Sequence, residues 1–281
     1  MRDFGPLALK AVREWMIKEG WSRNFINSCL GCIKRLFKWG VESELAPPST
    51  YHGVQAVAGL RKGRSLASET QPVRPVADEH VEAVLPFVSR AVRAMIQVQL
   101  LSGSRPGEMV IMRPCDIDQR KDTTWIYRPE SHKTEHHGIT RVIFLGPQAQ
   151  DILKPFLLRD PEAYLFSPRE MMEEFWAKQR QARKTKVQPS QQDRTKRKQL
   201  KTRGERYEVA SYDRAIANAC KRAGVPHWHP NQLRHAKATE IRREVGLDAA
   251  RVVLGHRSPQ ITETYAEIDV NKAAEVMARL G

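Results

Sequence analysis

The stretch from Glu44 to Pro75, which reads LAPPSTYHGVQAVAGLRKGRSLASETQPVRP from Leu45 on, is rich in proline, serine, glycine and basic residues. Such a composition builds little core and suits a linker. A chain of 281 residues interrupted in this way has to bury its apolar surface in two separate places, and the boundary is expected at residues 60–76.

Before the interruption, apolar residues repeat at helical spacing. Ala8, Val12, Trp15 and Met16 share one face, and Ile26, Cys29, Leu30, Ile33 and Phe37 share another, which predicts a small helical unit. After it, an Asp78 cap opens HVEAVLPFVSRAVRAMIQVQLLSG, a helical stretch that Pro86 interrupts and Gly103 stops, so two helices are expected. Short β-like runs at 110–112, 125–127 and 141–145 predict a small antiparallel sheet, with RPESHKTEHHG as the turn between its last two strands. Helical patterns over 211–223, 231–245, 247–254 and 270–280 complete the second unit, and in the last of these Ala273, Val276, Met277 and Leu280 lie on one face. The fold class expected is mainly α with a small antiparallel β-sheet, in two domains.

Charge narrows the partner. Lys and Arg number 47 against 32 Asp and Glu, a net +15, and the pI is near 9.9. Such a chain attracts a polyanion, nucleic acid first among them. The excess is partly local: residues 170–206 contain AKQRQARKTKVQPSQQDRTKRKQLKTRGER, polar and basic with almost no apolar anchors, and read as a mobile loop that is either a solvated insertion or a phosphate-tracking arm. Arg61, Lys62 and Arg64 in the linker, and Lys184, Lys186, Lys196, Arg197 and Lys198 in the loop, are the candidate DNA-binding residues. No apolar run approaches the roughly 20 residues that cross a bilayer, and the beginning MRDFGPLALKAVREW lacks the apolar stretch of a secretory signal. An intracellular protein without a membrane partner is expected. Four cysteines make no disulfide framework. Cys29 and Cys32 have the gap of a metal half-site, but they sit in a helical apolar pattern with no second half-site, so core packing is expected and no metal.

Exchange of a phosphodiester between strands needs a nucleophile, cations around the pentavalent phosphorus and an acid for the leaving oxygen. Arginine suits the clamp, because its fork matches two phosphate oxygens and stays charged. Three segments carry such residues in order: LLSGSRPGEMVIMRPCDID, SHKTEHHG, and HPNQLRHAKATEIRREVGLDAARVVLGHRSPQITETYAEID. Together they resemble the successive active-site boxes of the tyrosine recombinases, the phage integrase family. The resemblance covers residues 77–281 closely, and residues 1–60 resemble the family's helical, SAM-like core-binding domain more loosely, shortened at its beginning.

The resemblance implies a two-domain DNA strand transferase: a core-binding domain at 1–60, a basic linker at 61–76 and a catalytic domain at 77–281 with a basic insertion at about 170–206. It implies that Arg105 and Arg234 grip the non-bridging oxygens, that Glu108 orients Arg105, and that Lys133 gives a proton to the departing 5′-oxygen. His256 matches the position that hydrogen-bonds the scissile phosphate, and Tyr265, nine residues later, the nucleophile. The product would be a 3′-phosphotyrosyl bond, with no nucleotide cofactor and no metal required. Where the family has His or Lys, this chain has Asn231, whose amide can hold a phosphate but cannot move a proton. Any acid–base role there is absent or passes to His229 or His235, whose plainer reading is packing or a supporting hydrogen bond at a helix start. The family further implies double-stranded DNA as partner, four protomers on two sites with the last helix docked on a neighbour, accessory DNA-bending proteins in some systems, and a prokaryotic cytoplasm or nucleoid. Two alternatives share the residue set: a nicking and resealing enzyme of the type IB topoisomerase kind, and a DNA-binding protein of the same fold that has lost catalysis.

Overall fold

The computed structural model describes residues 4–120, 123–131, 141–186, 188 and 204–255. They form two compact units, the first ending at Val73 and the second starting at Arg74.

The first unit is helical. α1 (Pro6–Lys18) starts on a proline, which needs no backbone donor at that position. α2 (Arg23–Glu42) is capped by Ser22, whose hydroxyl accepts from the Phe25 amide. Leu9 and Met16 of α1 meet Ile26, Leu30 and Phe37 of α2 in one core. Trp15, expected on the buried face, is instead half exposed and packs edge-on against Trp21. Cys29 packs partly against the core, whereas Cys32 is exposed, contrary to its expected core position.

The stretch read as a linker is largely folded onto this unit. α3 (Pro48–Gln55) delivers Val54 to the core, and Val57 and Ala67 follow it. Asn27 pairs twice with Leu60, its amide nitrogen donating to the carbonyl at 3.0 Å and its oxygen accepting from the backbone N–H at 2.7 Å. Arg23 and Glu69 form an ion pair at 2.7 Å. Val54, Val57 and Ala67, the Asn27–Leu60 clasp and the Arg23–Glu69 ion pair hold a segment that composition alone assigns to a loop. Arg61, Lys62 and Arg64 sit exposed on a turn of this segment.

The second unit is built around α5 (Arg90–Ser102), which is buried nearly all round, as expected of a helix at the centre of a core. α7 (Pro147–Leu157) and α10 (Pro230–Glu244) pack directly on it. α4 (Asp78–Val84), a 3₁₀ turn at Leu85–Phe87, and α9 (Val209–Ala223) close another side. Ala77, not Asp78, occupies the cap position of α4; Asp78 begins the helix, where its charge still favours the helix dipole. The sheet has three antiparallel strands in the order β1 (Ile117–Asp118), β2 (Trp125–Tyr127) and β3 (Ile143–Leu145), with Ile117 opposite Tyr127 and Trp125 opposite Leu145. Residues 110–112 are not a strand. Val110 ends the short helix α6 (Pro106–Val110), because a short apolar run carries no period of its own and Glu108 closes a helical turn on the Arg105 amide.

The basic segment at 170–206 also departs from expectation. Its beginning belongs to α8 (Pro168–Gln181), capped by Ser167 and anchored by buried Met171. Ion pairs Arg90–Glu174 at 2.7 Å and Arg159–Glu170 at 3.1 Å fix it to the unit. Residues 183–186, with Lys184 and Lys186, follow as exposed coil. Lys196, Arg197, Lys198, the turn carrying Lys133, and everything from His256 on, including the helix expected at 270–280, lie outside the described residues. α11 (Leu247–Leu254) is the last element described. Among the described residues no helix is long and apolar enough to cross a membrane.

One buried polar side chain ties α5, α9 and α10 together. The Gln99 amide donates to the carbonyls of Ser104 at 3.2 Å and Pro230 at 3.0 Å, while its oxygen accepts from the Tyr212 hydroxyl at 3.0 Å. Gln99→Leu strands all three partners without water, and it is expected to lower the stability of this unit by about 3 kcal/mol in urea unfolding, against about 1 kcal/mol for Tyr212→Phe. Equal losses from the two variants would show that the two carbonyls do not depend on Gln99.

Candidate active site

Arg105 and Arg234 reach one region from different elements. Arg105 occupies the cap position of α6, just past α5, where the chain has turned through Gly103 in the left-handed conformation, φ 64°. Only glycine suits that turn, since a Cβ there would lie 2.7 Å from a Leu254 methyl. Arg234 projects from the first turns of α10 and is 3% exposed. Its Nη1 donates to the Gly103 carbonyl at 2.6 Å and its Nη2 to the Leu254 carbonyl at 2.7 Å. A single guanidinium thus joins the turn before Arg105 to the end of α11, directly before the segment that carries His256.

Glu108 holds Arg105. Its Oε2 accepts from the Arg105 amide at 2.7 Å and its Oε1 from Arg105 Nη1 at 2.8 Å. The carboxylate is buried, whereas the Arg105 side chain is 23% exposed, so the held guanidinium keeps an accessible edge. Tyr127, fully buried on β2, donates its hydroxyl to the Glu108 carbonyl at 2.6 Å and fixes α6 to the sheet.

A third arginine, not anticipated as a site residue, completes the cluster. Arg141 is 5% exposed; its Nε donates to Glu108 Oε1 at 3.2 Å and its Nη1 to the Val253 carbonyl at 3.3 Å. Among the described residues its Nη2 is buried without a hydrogen-bond partner. Gly255, at φ 63°, makes room for it, since a Cβ there would sit 2.5 Å from Arg141 Nη1. A sequence signal for this role exists: Arg141, Ile143 and Leu145 alternate as buried residues, and a charge on the inward side of a strand period needs a buried partner. Burial opposes ionisation of Glu108, but the charge of Arg141, the Arg105 amide and the Arg105 guanidinium outweigh it and hold the carboxyl below its usual 4.5. Burial also pulls Arg141 below the ordinary arginine value, against the charge of Glu108.

At the start of α10, Asn231 and His235 pair, Asn231 Nδ2 lying 3.0 Å from His235 Nε2. With the amide nitrogen as donor, the ring nitrogen facing it accepts, as in a neutral imidazole. Burial, and then the neighbouring Arg234 charge, pushes His235 below the usual 6.5, which keeps that neutral form. His229 caps α10 but turns its ring elsewhere, with Nδ1 2.9 Å from Asp213 Oδ1. Of the two histidines considered as substitutes at this position, His235 shares a hydrogen bond with Asn231 and His229 is paired to α9. Lys133, His256 and Tyr265 lie outside the described residues.

A profile of the phage integrase family matches residues 77–272, and the chain belongs to that family. A relative, tyrosine recombinase XerC of Corynebacterium glutamicum, is 35% identical over 75 residues, a stretch that spans 26% of this chain and 24% of that protein. The fold is similar to that of the Tn1549 transposon integrase in complex with a circular intermediate DNA, with TM-score 0.65 and 16% identity over 100% of this chain and 87% of that one. It is also similar to lambda integrase bound as a dimer to a core site, with TM-score 0.57 and 13% identity over 94% of this chain and 80% of that one.

Arg141→Met removes one of the two cations on a buried carboxylate and is expected to cost about 3 kcal/mol of stability. Adding Glu108→Gln should recover part of that loss, since a neutral amide then replaces the buried carboxylate that had lost one of its two cations. Additive losses in the double variant, measured by chemical denaturation, would show that Arg141 and Glu108 act independently.

Proposed function

We propose that this chain is a site-specific DNA recombinase, cleaving and rejoining strands through a 3′-phosphotyrosyl intermediate. The observation that carries the reading is the Arg234 guanidinium bound to both Gly103 and Leu254. That contact joins the first and third of the segments that resemble the family's boxes, next to Arg105 and just before His256 in the chain.

In the proposed reaction the Tyr265 phenol releases its proton to solvent as its oxygen bonds the scissile phosphorus, the bond to the 5′-oxygen breaks, and Lys133 supplies the proton that the departing oxygen takes up. Arg105 and Arg234 offset the charge that builds on the non-bridging oxygens, with His256 as a further donor. Attack by a 5′-hydroxyl from a second strand reverses the step, so one phosphoester replaces another. Double-stranded DNA is the partner in this reading, held through phosphates by the +15 charge. Arg61, Lys62, Arg64, Lys184 and Lys186 are proposed to contribute from exposed positions, and Lys196, Arg197 and Lys198 from the basic insertion. Four protomers on two sites, accessory DNA-bending proteins and a cytoplasmic location follow from the same reading. So does the division into a core-binding domain, a linker and a catalytic domain.

Tyr265→Phe removes only the attacking oxygen, so the covalent adduct on a nicked suicide substrate bearing the cognate site should vanish while non-covalent DNA binding persists. Arg105→Ala should also abolish the adduct. Lys133→Ala should slow cleavage but retain adduct on a substrate with a 5′-thiol leaving group, which departs with little need of an acid. An undiminished adduct from Tyr265→Phe removes the nucleophile from this account, and relaxation of supercoils without segment exchange would assign nicking and closing instead.

Asn231→His restores a titratable ring beside His235, and the cleavage rate should be kept or raised. Asn231→Ala should lower it modestly. Complete loss in the His variant, followed by denaturing gel, would show that the site has been rebuilt around the Asn231–His235 pair.

A further inference from the structure

Trp228 is 2% exposed and anchors the segment leading into α10. The backbone at His229 is extended, φ −102° and ψ 149°, and alternate residues of an extended chain project to the same side. Burial of Trp228 therefore turns His227 and His229 outward together, and their rings meet edge to face with centroids 4.4 Å apart. On α9, Tyr212 and Ile216 occupy the buried face and leave Asp213 half exposed beside them, its Oδ1 2.9 Å from His229 Nδ1. One ligand atom from each of Asp213, His227 and His229 lies within 4.8 Å of the others.

We propose that Asp213, His227 and His229 form a binding site for a first-row divalent transition ion, with zinc the best fit. Two imidazoles and one carboxylate are the donor set that such ions prefer, whereas magnesium and calcium favour oxygen alone. A tetrahedral zinc with bonds of about 2.1 Å separates its ligand atoms by about 3.4 Å. The three ligand atoms, within 4.8 Å of one another, have to close to that spacing by side-chain rotation, and both histidine rings are exposed. Three protein ligands leave the remaining coordination to solvent. The site stands apart from the strand-transfer chemistry and no step passes through it. Its consequence is mechanical: His229 caps α10, where its amide also donates to Gln232 Oε1 at 2.9 Å, and the ion would fasten the helix carrying Asn231 and Arg234 to α9.

The test uses the full chain stripped of metal by a chelator, then titrated calorimetrically with zinc and, in parallel, with cobalt followed by visible absorption. His227→Ala and Asp213→Asn are the variants; neither removes the cap of α10, and circular dichroism checks that both fold. A supporting partner around a metal is worth roughly 10–100-fold in affinity, so loss of a direct ligand should weaken zinc binding at this site at least about 10-fold. The chain has nine histidines, so zinc held elsewhere would bind the variants unchanged. Indistinguishable isotherms for the unmodified chain and His227→Ala overturn the proposal, as does absence of binding by the unmodified chain. Zinc should also slow amide hydrogen exchange over residues 228–234 in the unmodified chain and not in His227→Ala; slowing retained in the variant overturns it equally.

Discussion

Arginine side chains close the end of α11, and the cluster around Glu108 is organised by how they do so. The last carbonyls of a helix have no intrahelical donor and carry the negative end of its dipole. Here the carbonyls of Val253 and Leu254 take hydrogen bonds from Arg141 and Arg234. Two arginines brought into the interior need a counter-charge, and Glu108, 2% exposed, supplies it to Arg141 while holding Arg105. Both glycines at the crowded points, Gly103 and Gly255, follow from this packing, since a side chain at either would collide with Leu254 or Arg141. The arrangement thus does two jobs with one set of charges: it closes a helix end, and it sets a partly exposed guanidinium at a fixed place.

Much of this was legible in the sequence where period and punctuation agree. The helices around Gly103 and Pro86 and the strand at 125–127 fall where apolar spacing and breakers put them. Segments went astray where a few contacts outweigh composition. Residues 45–69 look like a linker, yet Val54, Val57 and the Asn27–Leu60 clasp bind them to the first unit. The start of the basic segment looks unanchored, yet Met171 and two ion pairs hold α8. Residues 110–112 are apolar enough for a strand, and what decides against it is Glu108, a residue whose carboxylate can be seen closing the turn only in three dimensions.

In the site, sequence separates what is chemically necessary from what is only structurally so. Arg105, Glu108 and Arg234 stand out because they fall in segments that resemble the family's boxes, where the proposed reaction would use a cationic clamp. Arg141 does not stand out, because its task is to neutralise a neighbour and cap a helix, and neither task has a spacing in the chain. Its one visible trace is the burial alternation of 141, 143 and 145, which becomes informative only once the strand is placed.

The departure at Asn231 gains a physical reading from the same cluster. A buried histidine beside an arginine is disfavoured as a cation, and His235 shows this, lowered by burial and by Arg234. A neutral ring needs an acceptor satisfied on one nitrogen, and Asn231 donates to it. An amide at 231 adds a donor beside that ring without adding charge. Asn231 therefore gives His235 an uncharged hydrogen-bond donor next to the charge of Arg234.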